Sequence, residues 1–262
     1  MDQALDHLQA EGVVGINVDF MDRDDQDMVR WYEKLMETAA RHKLMVELHG
    51  AFVPRGLART YPNFITQEGV LGSEYNKWSR RITAGHNVML AYTRGLVGPM
   101  DYIPGGFINV SPSEFEPRSV LPMVQTTRAH NLAMFVVFDS PWVSLADSPD
   151  TYRASPAGFE FIRDVPTSWD ETRFVAGEVG DYIVVAKRKG ERWFLAAMNG
   201  DAPRRISLSL PFLREGRWTA SLWVDGGPPD RVDRDTRQVT RNDTIDFELA
   251  ATGGAVAVLK PR

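Results

Sequence analysis

Three carboxylates have the types and positions for acid–base or nucleophilic chemistry: Asp19, Glu68 and Glu74. Asp19 closes the apolar, β-branched run Val13 to Phe20, where an acid is costly to bury unless it is paired or used. It can cap the following helix, although Asp22, Asp24 and Asp25 are better placed for that task. Glu68 and Glu74 both lie in TQEGVLGSEY, with Gly69 and Gly72 between them. On a helix their side chains would diverge by about 120° and hold different groups around one site. Carboxylates used in this way suit glycoside hydrolysis, in which one protonates the leaving oxygen and another attacks or activates water. Tyr61, Tyr75, Trp78, Tyr92 and Tyr102 can stack on a sugar or fill a core. His49 and His86 lie near expected strand ends, and Arg55, Arg59 and Arg94 can hold carboxylates ionised by pairing. There is no P-loop or GxGxxG, and Pro104–Gly105–Gly106 lacks the following helix that a dinucleotide site requires.

Repeating strands and helices would position these groups. Val13 to Phe20 reads as a strand. From Asp24 to His42 the spacing of Met28, Trp31, Tyr32, Leu35, Met36 and Ala39 predicts an amphipathic helix with acids in its first turn. Further strand-like runs are Leu44 to Leu48, Asn63 to Thr66, Asn87 to Tyr92 and Ala133 to Phe138, the last after a helical stretch from about Ser119. Near-continuous apolar runs fit parallel strands covered on both faces. Polar residues past their C-termini then form one rim: Asp19, His49, Glu68, Glu74, Arg94 and Asp139. Ser140 to Asp170 reads as a linker with helical pieces. Beyond it come six short runs split by turns: Tyr182 to Ala186, Arg192 to Met198, Arg205 to Leu210, Arg217 to Val224, Thr244 to Leu249 and Ala255 to Leu259. They predict an antiparallel β-sandwich.

The chain has 262 residues, 43% hydrophobic and 25% charged, with a formal net charge of -5 and no cysteine. That composition builds a real core and excludes disulfides and thiolate chemistry. The charge gives no footprint for nucleic acid or an anionic membrane, and no apolar stretch is long enough to span one. Met1 to Leu8 carries acids and no apolar run, so no signal peptide is expected in this stretch. A closed eight-fold barrel usually needs about 250 residues, more than the α/β portion offers, so a partial barrel is expected.

Six segments in the same order carry a resemblance. They are GINVDF (Gly15 to Phe20), VELHGAFVPRGLARTYPN (Val46 to Asn63), TQEGVLGSEY (Thr66 to Tyr75), HNVMLAYTR (His86 to Arg94), GPMDYIPGGF (Gly98 to Phe107) and WDETRFVAGEVGDYIVVAKRKGERWFLAAMN (Trp169 to Asn199). Together they resemble glycoside hydrolase family 97, whose members are inverting α-glucosidases and retaining α-galactosidases. The resemblance implies an α/β plus all-β fold: the C-terminal part of a (β/α)8 TIM barrel, about strands 4–8, over residues 1–163, then a small antiparallel β-sandwich over 164–262. It implies that the family's N-terminal sandwich and first three barrel strands have no counterpart here.

On this resemblance Asp19 is the nucleophile, Glu74 the acid/base and Glu68 a Ca2+ ligand, with calcium binding expected to be weak. His49, Arg94, Tyr92 and Asp101 are the substrate-binding candidates. Inverting members carry a Glu directly after the His matching His49 and lack the Asp matching Asp19. Gly50 together with Asp19 therefore indicates the retaining branch. The expected function is retaining α-galactosidase-like hydrolysis of terminal α-galactosides or oligosaccharides. The alternatives are an α-glucosidase of the same family and an inactive carbohydrate-binding or structural fragment. Self-association into a homo-oligomer is expected, without nucleic-acid or membrane partners. The compartment is periplasmic or secreted if a precursor follows the family.

Overall fold

The computed structural model describes all residues, 1–262. Contacts gather them into two compact units, each assembled from separate stretches of chain. The first comprises 1–72, 93–102 and 139–144. It contains helix α1 (Asp2–Ala10), strand β1 (Gly15–Val18), helix α2 (Gln26–Arg41), and strands β2 (Met45–Leu48) and β3 (Phe64–Gln67). The strands are parallel in the order β1-β2-β3, with Gly15 opposite Met45 and Val46 opposite Phe64. Beyond β3 a single parallel bridge pairs Gln67 with Met100. Asp25 caps α2 by accepting from the backbone N–H groups of Asp27 and Met28. The apolar stripe Met28, Tyr32, Leu35, Met36 and Ala39 packs on Leu44, Val46, Leu48 and Phe64. Each large side chain so buried contributes about 2 kcal/mol, and this packing holds the strands' C-terminal ends in place.

The second unit comprises 73–92, 103–138 and 145–262. Its helices are α3 (Ala84–Tyr92), α4 (Arg128–Val137), α5 (Pro149–Arg153) and α6 (Pro156–Asp164). Eight strands follow: β4 (Glu171–Glu178), β5 (Tyr182–Lys189), β6 (Arg192–Asn199), β7 (Arg204–Ser209), β8 (Trp218–Asp225), β9 (Val232–Val239), β10 (Thr244–Leu249) and β11 (Gly254–Pro261). Six form an antiparallel sheet in the order β4-β5-β6-β11-β8-β9, while β7 and β10 pair separately.

One face of the large sheet, including Val184, Leu195, Leu222 and Ala257, shares a core with Leu208, Ile245 and Phe247 of the small sheet. The expected sandwich is thus present, with a third layer. Helix α4 packs on β6 and β11, and α6 packs through Phe161 on Trp223, whose indole N–H donates to the Ala157 carbonyl at 2.9 Å. Gly254 permits the approach of α4, because a Cβ there would lie 2.6 Å from the His130 Cα.

The structure corrects several expectations. The parallel sheet has three strands in place of five. Asn87 to Tyr92 lies in helix α3 and Ala133 to Val137 in helix α4. The residues from Ser119 to Thr127 are not helical. A wholly buried helix shows the same uninterrupted apolar run as a buried strand, and every residue from Ala129 to Val137 is buried. Strands β4 and β9 were not expected. Both lie at sheet edges, where charged residues interrupt the apolar alternation.

Candidate functional site

Parallel pairing places the C-terminal ends of β1, β2 and β3 side by side, and each is followed by a polar residue of interest. Asp19 follows β1, His49 follows β2 and Glu68 follows β3. The loops after β1 and β2 are laced together: the His49 N–H donates to the Val18 carbonyl at 2.9 Å and the Asp22 N–H to the Gly50 carbonyl at 2.9 Å. Asp19 is half-buried, and its Oδ1 accepts from the Phe20 N–H at 2.6 Å. Phe20 itself has φ 64, an outlying conformation for a bulky residue. Gly50 has φ +57, and a Cβ there would lie 2.8 Å from Asp19 Oδ1. The space a side chain at position 50 would need is therefore taken by the Asp19 carboxylate.

A chain of ionisable groups runs inward from this edge. Glu68 is buried, its Oε2 accepts from the Gly50 N–H at 2.8 Å, and its Oε1 stands 3.7 Å from His49 Nε2. His49 Nδ1 lies 2.6 Å from Asp101 Oδ2, and Asp101 is itself buried. The Asp101 carboxylate on Nδ1 fixes the orientation of the ring and keeps a proton on Nδ1. Behind them stands Glu47 of β2, which is buried and whose Oε1 has no hydrogen-bond partner. Burial first, then the charge of Asp101, pushes the Glu47 carboxyl up to about 7. Sequence reasoning missed Glu47. The signal was an acid inside the apolar run MVEL.

Arg94 was expected to pair with carboxylates, and the structure corrects this. It is buried, and its guanidinium donates to the backbone carbonyls of Gln67, Glu68, Gly98 and Pro99 at 2.7 to 3.1 Å. Burial lowers its pKa to about 10. It clamps the end of β3 to the segment before Asp101, so it positions Glu68 through the backbone. Arg55 and Arg59 are exposed, and Asp139 is exposed with its carbonyl accepting from the Met100 N–H at 2.7 Å.

Glu74 belongs to the second unit. It is half-buried in the 3-10 turn Ser73–Lys77, so the stretch joining it to Glu68 is not one helix. Tyr92, at the end of α3, donates its hydroxyl to the Tyr182 carbonyl at 2.8 Å and meets Phe174 edge-on, an anchor to the large sheet. Tyr102 is buried core, and Tyr61 donates to Glu37.

His49 and Glu68 have the donor types of a metal-binding cluster. Calcium takes six to eight oxygen ligands. His49 offers a nitrogen, and one oxygen of Glu68 already accepts from the Gly50 N–H. These side chains alone do not make a calcium site.

Residues 1–70 match the family model described as Glycoside hydrolase 97, and residues 168–260 match Glycosyl-hydrolase 97 C-terminal, oligomerisation. A retaining alpha-galactosidase from Bacteroides thetaiotaomicron is 38% identical over 99% of this chain and 40% of its own length. A family 97 enzyme from Pseudoalteromonas sp. strain K8, in complex with panose, superposes with a TM-score of 0.89 at 33% identity, over 100% of this chain and 44% of that one. A beta-arabinopyranosidase superposes with a TM-score of 0.87 at 32% identity, over 98% of this chain and 41% of that one. The chain thus spans about two fifths of the length of the relatives it matches. No helix is long and apolar enough to cross a membrane.

Proposed function

This chain belongs to glycoside hydrolase family 97, and from that premise we propose that it is the catalytic portion of a retaining, α-galactosidase-like glycosidase. The observation that carries the retaining assignment is the pairing of Asp19 with Gly50. A base for inversion would need a side chain at position 50, and the Asp19 carboxylate lies where its Cβ would stand. The resemblance supplies the roles. Asp19 attacks the anomeric carbon as the glycosidic C–O bond breaks, and Glu74 gives its proton to the departing oxygen. Glu74 then takes a proton from water, the water oxygen bonds to the anomeric carbon, and the bond to Asp19 breaks, giving net retention. His49, held by Asp101, faces this edge as a sugar-hydroxyl partner. Arg94 and Tyr92 act by holding backbone in place. A division at 163/164 and self-association through the C-terminal module belong to the same proposal.

The similarity to a β-arabinopyranosidase favours a second reading of specificity. A β-L-arabinopyranoside has the ring configuration of an α-D-galactoside without its C6 hydroxymethyl group, so the same catalytic pair serves both. Proton NMR of the anomer first released from an aryl α-galactoside tests the mechanism. The α-anomer is expected first, with no turnover in Asp19→Ala and partial rescue by azide as a β-galactosyl azide. The β-anomer appearing first, or an Asp19→Ala variant as active as the parent, would overturn the assignment. A chain that binds galactose without any turnover would be the non-catalytic carbohydrate-binding fragment.

A further inference from the structure

Phe20, directly after Asp19, is unfavourable where it stands on two counts. Its ring is 84% exposed, so it adds nothing to the core. Its φ of 64 lies in the left-handed region that bulky residues avoid. Backbone in such a state persists where the surroundings over-determine it, and here they act from both sides. Upstream, Val18 is held in β1 opposite Leu48, and the Phe20 N–H donates to Asp19 Oδ1 at 2.6 Å. Downstream, Met21 packs against the core that α2 shares with the parallel strands, and the Asp22 N–H donates to the Gly50 carbonyl at 2.9 Å. A left-handed turn at residue 20 lets the peptide before it serve the carboxylate while the chain beyond it folds back onto the core. Asp22 also has a positive φ, 45, but aspartate tolerates that region and phenylalanine does not. Gly50 leaves the room: a Cβ there would lie 2.9 Å from the Phe20 nitrogen as well as against Asp19 Oδ1.

We propose that Phe20 is a positioning residue for the nucleophile, acting through its strained backbone and not through its ring. The inference rests on the reading of Asp19 as the nucleophile. With Oδ1 held by the Phe20 N–H, the carboxylate is fixed in one orientation, and Oδ2 is the oxygen presented to the anomeric carbon. The Oδ2–carbon bond forms as the glycosidic C–O bond breaks, and the departing oxygen takes its proton from Glu74. A glycine at position 20 would reach the same φ without strain, but it would reach many others too, and the N–H would be less fixed. A side chain narrows those choices, and the strain at Phe20 is the cost of that restriction.

Substitutions at position 20 of the full 262-residue chain separate backbone from ring. Phe20→Val stays apolar, but its β-branch avoids positive φ. It is expected to lower the urea midpoint and to cut kcat on an aryl α-galactoside about a hundredfold, with little change in KM. Phe20→Asn deletes the ring but tolerates the left-handed region, and is expected to keep most of the parental kcat. Phe20→Gly is expected to raise the urea midpoint and yet lower kcat about tenfold, opposite movements that a merely structural role would not give. Hydrogen exchange supplies a readout without substrate. The Phe20 amide of the parent is expected to be protected, and that protection to fall about tenfold in Asp19→Ala. Parental kcat in Phe20→Val or Phe20→Gly would overturn the proposal. So would a Phe20→Asn variant as damaged as Phe20→Val, because the ring would then be the working part, or a Phe20 amide whose exchange ignores Asp19. A parent chain that leaves the galactoside intact would count against Asp19 as nucleophile, and the exchange rates would still decide whether the Phe20 N–H holds its carboxylate.

Discussion

Acid should weaken the second unit through a single imidazole. His130 of α4 is fully buried, with Nδ1 2.9 Å from the Gly253 carbonyl and Nε2 3.4 Å from the Asn87 side-chain nitrogen. Both contacts are satisfied by the neutral ring: Nδ1–H donates to Gly253 and Nε2 accepts from Asn87. Burial lowers the His130 pKa from its ordinary value near 6.5 to about 4. The unfolded chain therefore takes up a proton that the folded chain refuses between those two values, and stability falls as pH drops through that window. At pH 5 the loss is about 2 kcal/mol, approaching about 3 kcal/mol once both states are protonated. For a unit of this size that is a fall in Tm of about 4–8 °C between pH 7.5 and 5. Urea unfolding at both pH values, followed by tryptophan fluorescence, measures it against His130→Asn. The variant starts from a lower stability but lacks this proton uptake, so the difference between the two proteins isolates His130 from every other titrating group. Equal pH dependence in the two, within about 0.5 kcal/mol, would refute the reasoning.

Two substitutions test the first unit. Arg94→Lys replaces a planar fork spanning four carbonyls with a point donor that cannot reach them all, and should cost about 3 kcal/mol; faster hydrogen exchange at the Asp101 amide, which donates to the Gln67 carbonyl at 3.1 Å, would localise the loss. Gly50→Ala forces a left-handed alanine, at about 1–2 kcal/mol, and drives its Cβ against the Asp19 carboxylate, so chemical denaturation should show that loss and the aryl galactoside assay should show a larger fall in kcat than in binding.

Helix α2 is legible because its apolar stripe and its capping Asp25 agree, and local and tertiary preferences point the same way. β1, β2 and β3 are legible for a related reason: each is a short apolar run closed by a polar residue. α4 is not, since burial on all sides erases the 3.6-residue period that would mark it as a helix, and α3 shows only the short apolar run Val88 to Ala91, too brief for its length to separate helix from strand. Strands β4 and β9, Glu-Thr-Arg and Asp-Arg-Asp in character, owe their existence to neighbours supplied by distant sequence. At the site, Asp19, His49 and Glu68 were visible as polar endings of apolar strands. The role of Arg94 was hidden, because backbone carbonyls as partners leave no trace in local spacing, whereas Glu47 was marked only by its place inside an apolar run.

In the order β4-β5-β6-β11-β8-β9 the strand latest in the chain stands between two made earlier. As the ribosome delivers this sequence, α4 emerges more than a hundred residues before β11, one of the strands it covers, exists. At about 5–20 residues per second, nine consecutive buried residues of α4 wait on the order of ten seconds for that part of their cover. Until β11 arrives β6 has only β5 and β8 has only β9. The sheet therefore closes in one late event at its middle, and until then an apolar helix and two open strand edges are within reach of chaperones or of other nascent chains.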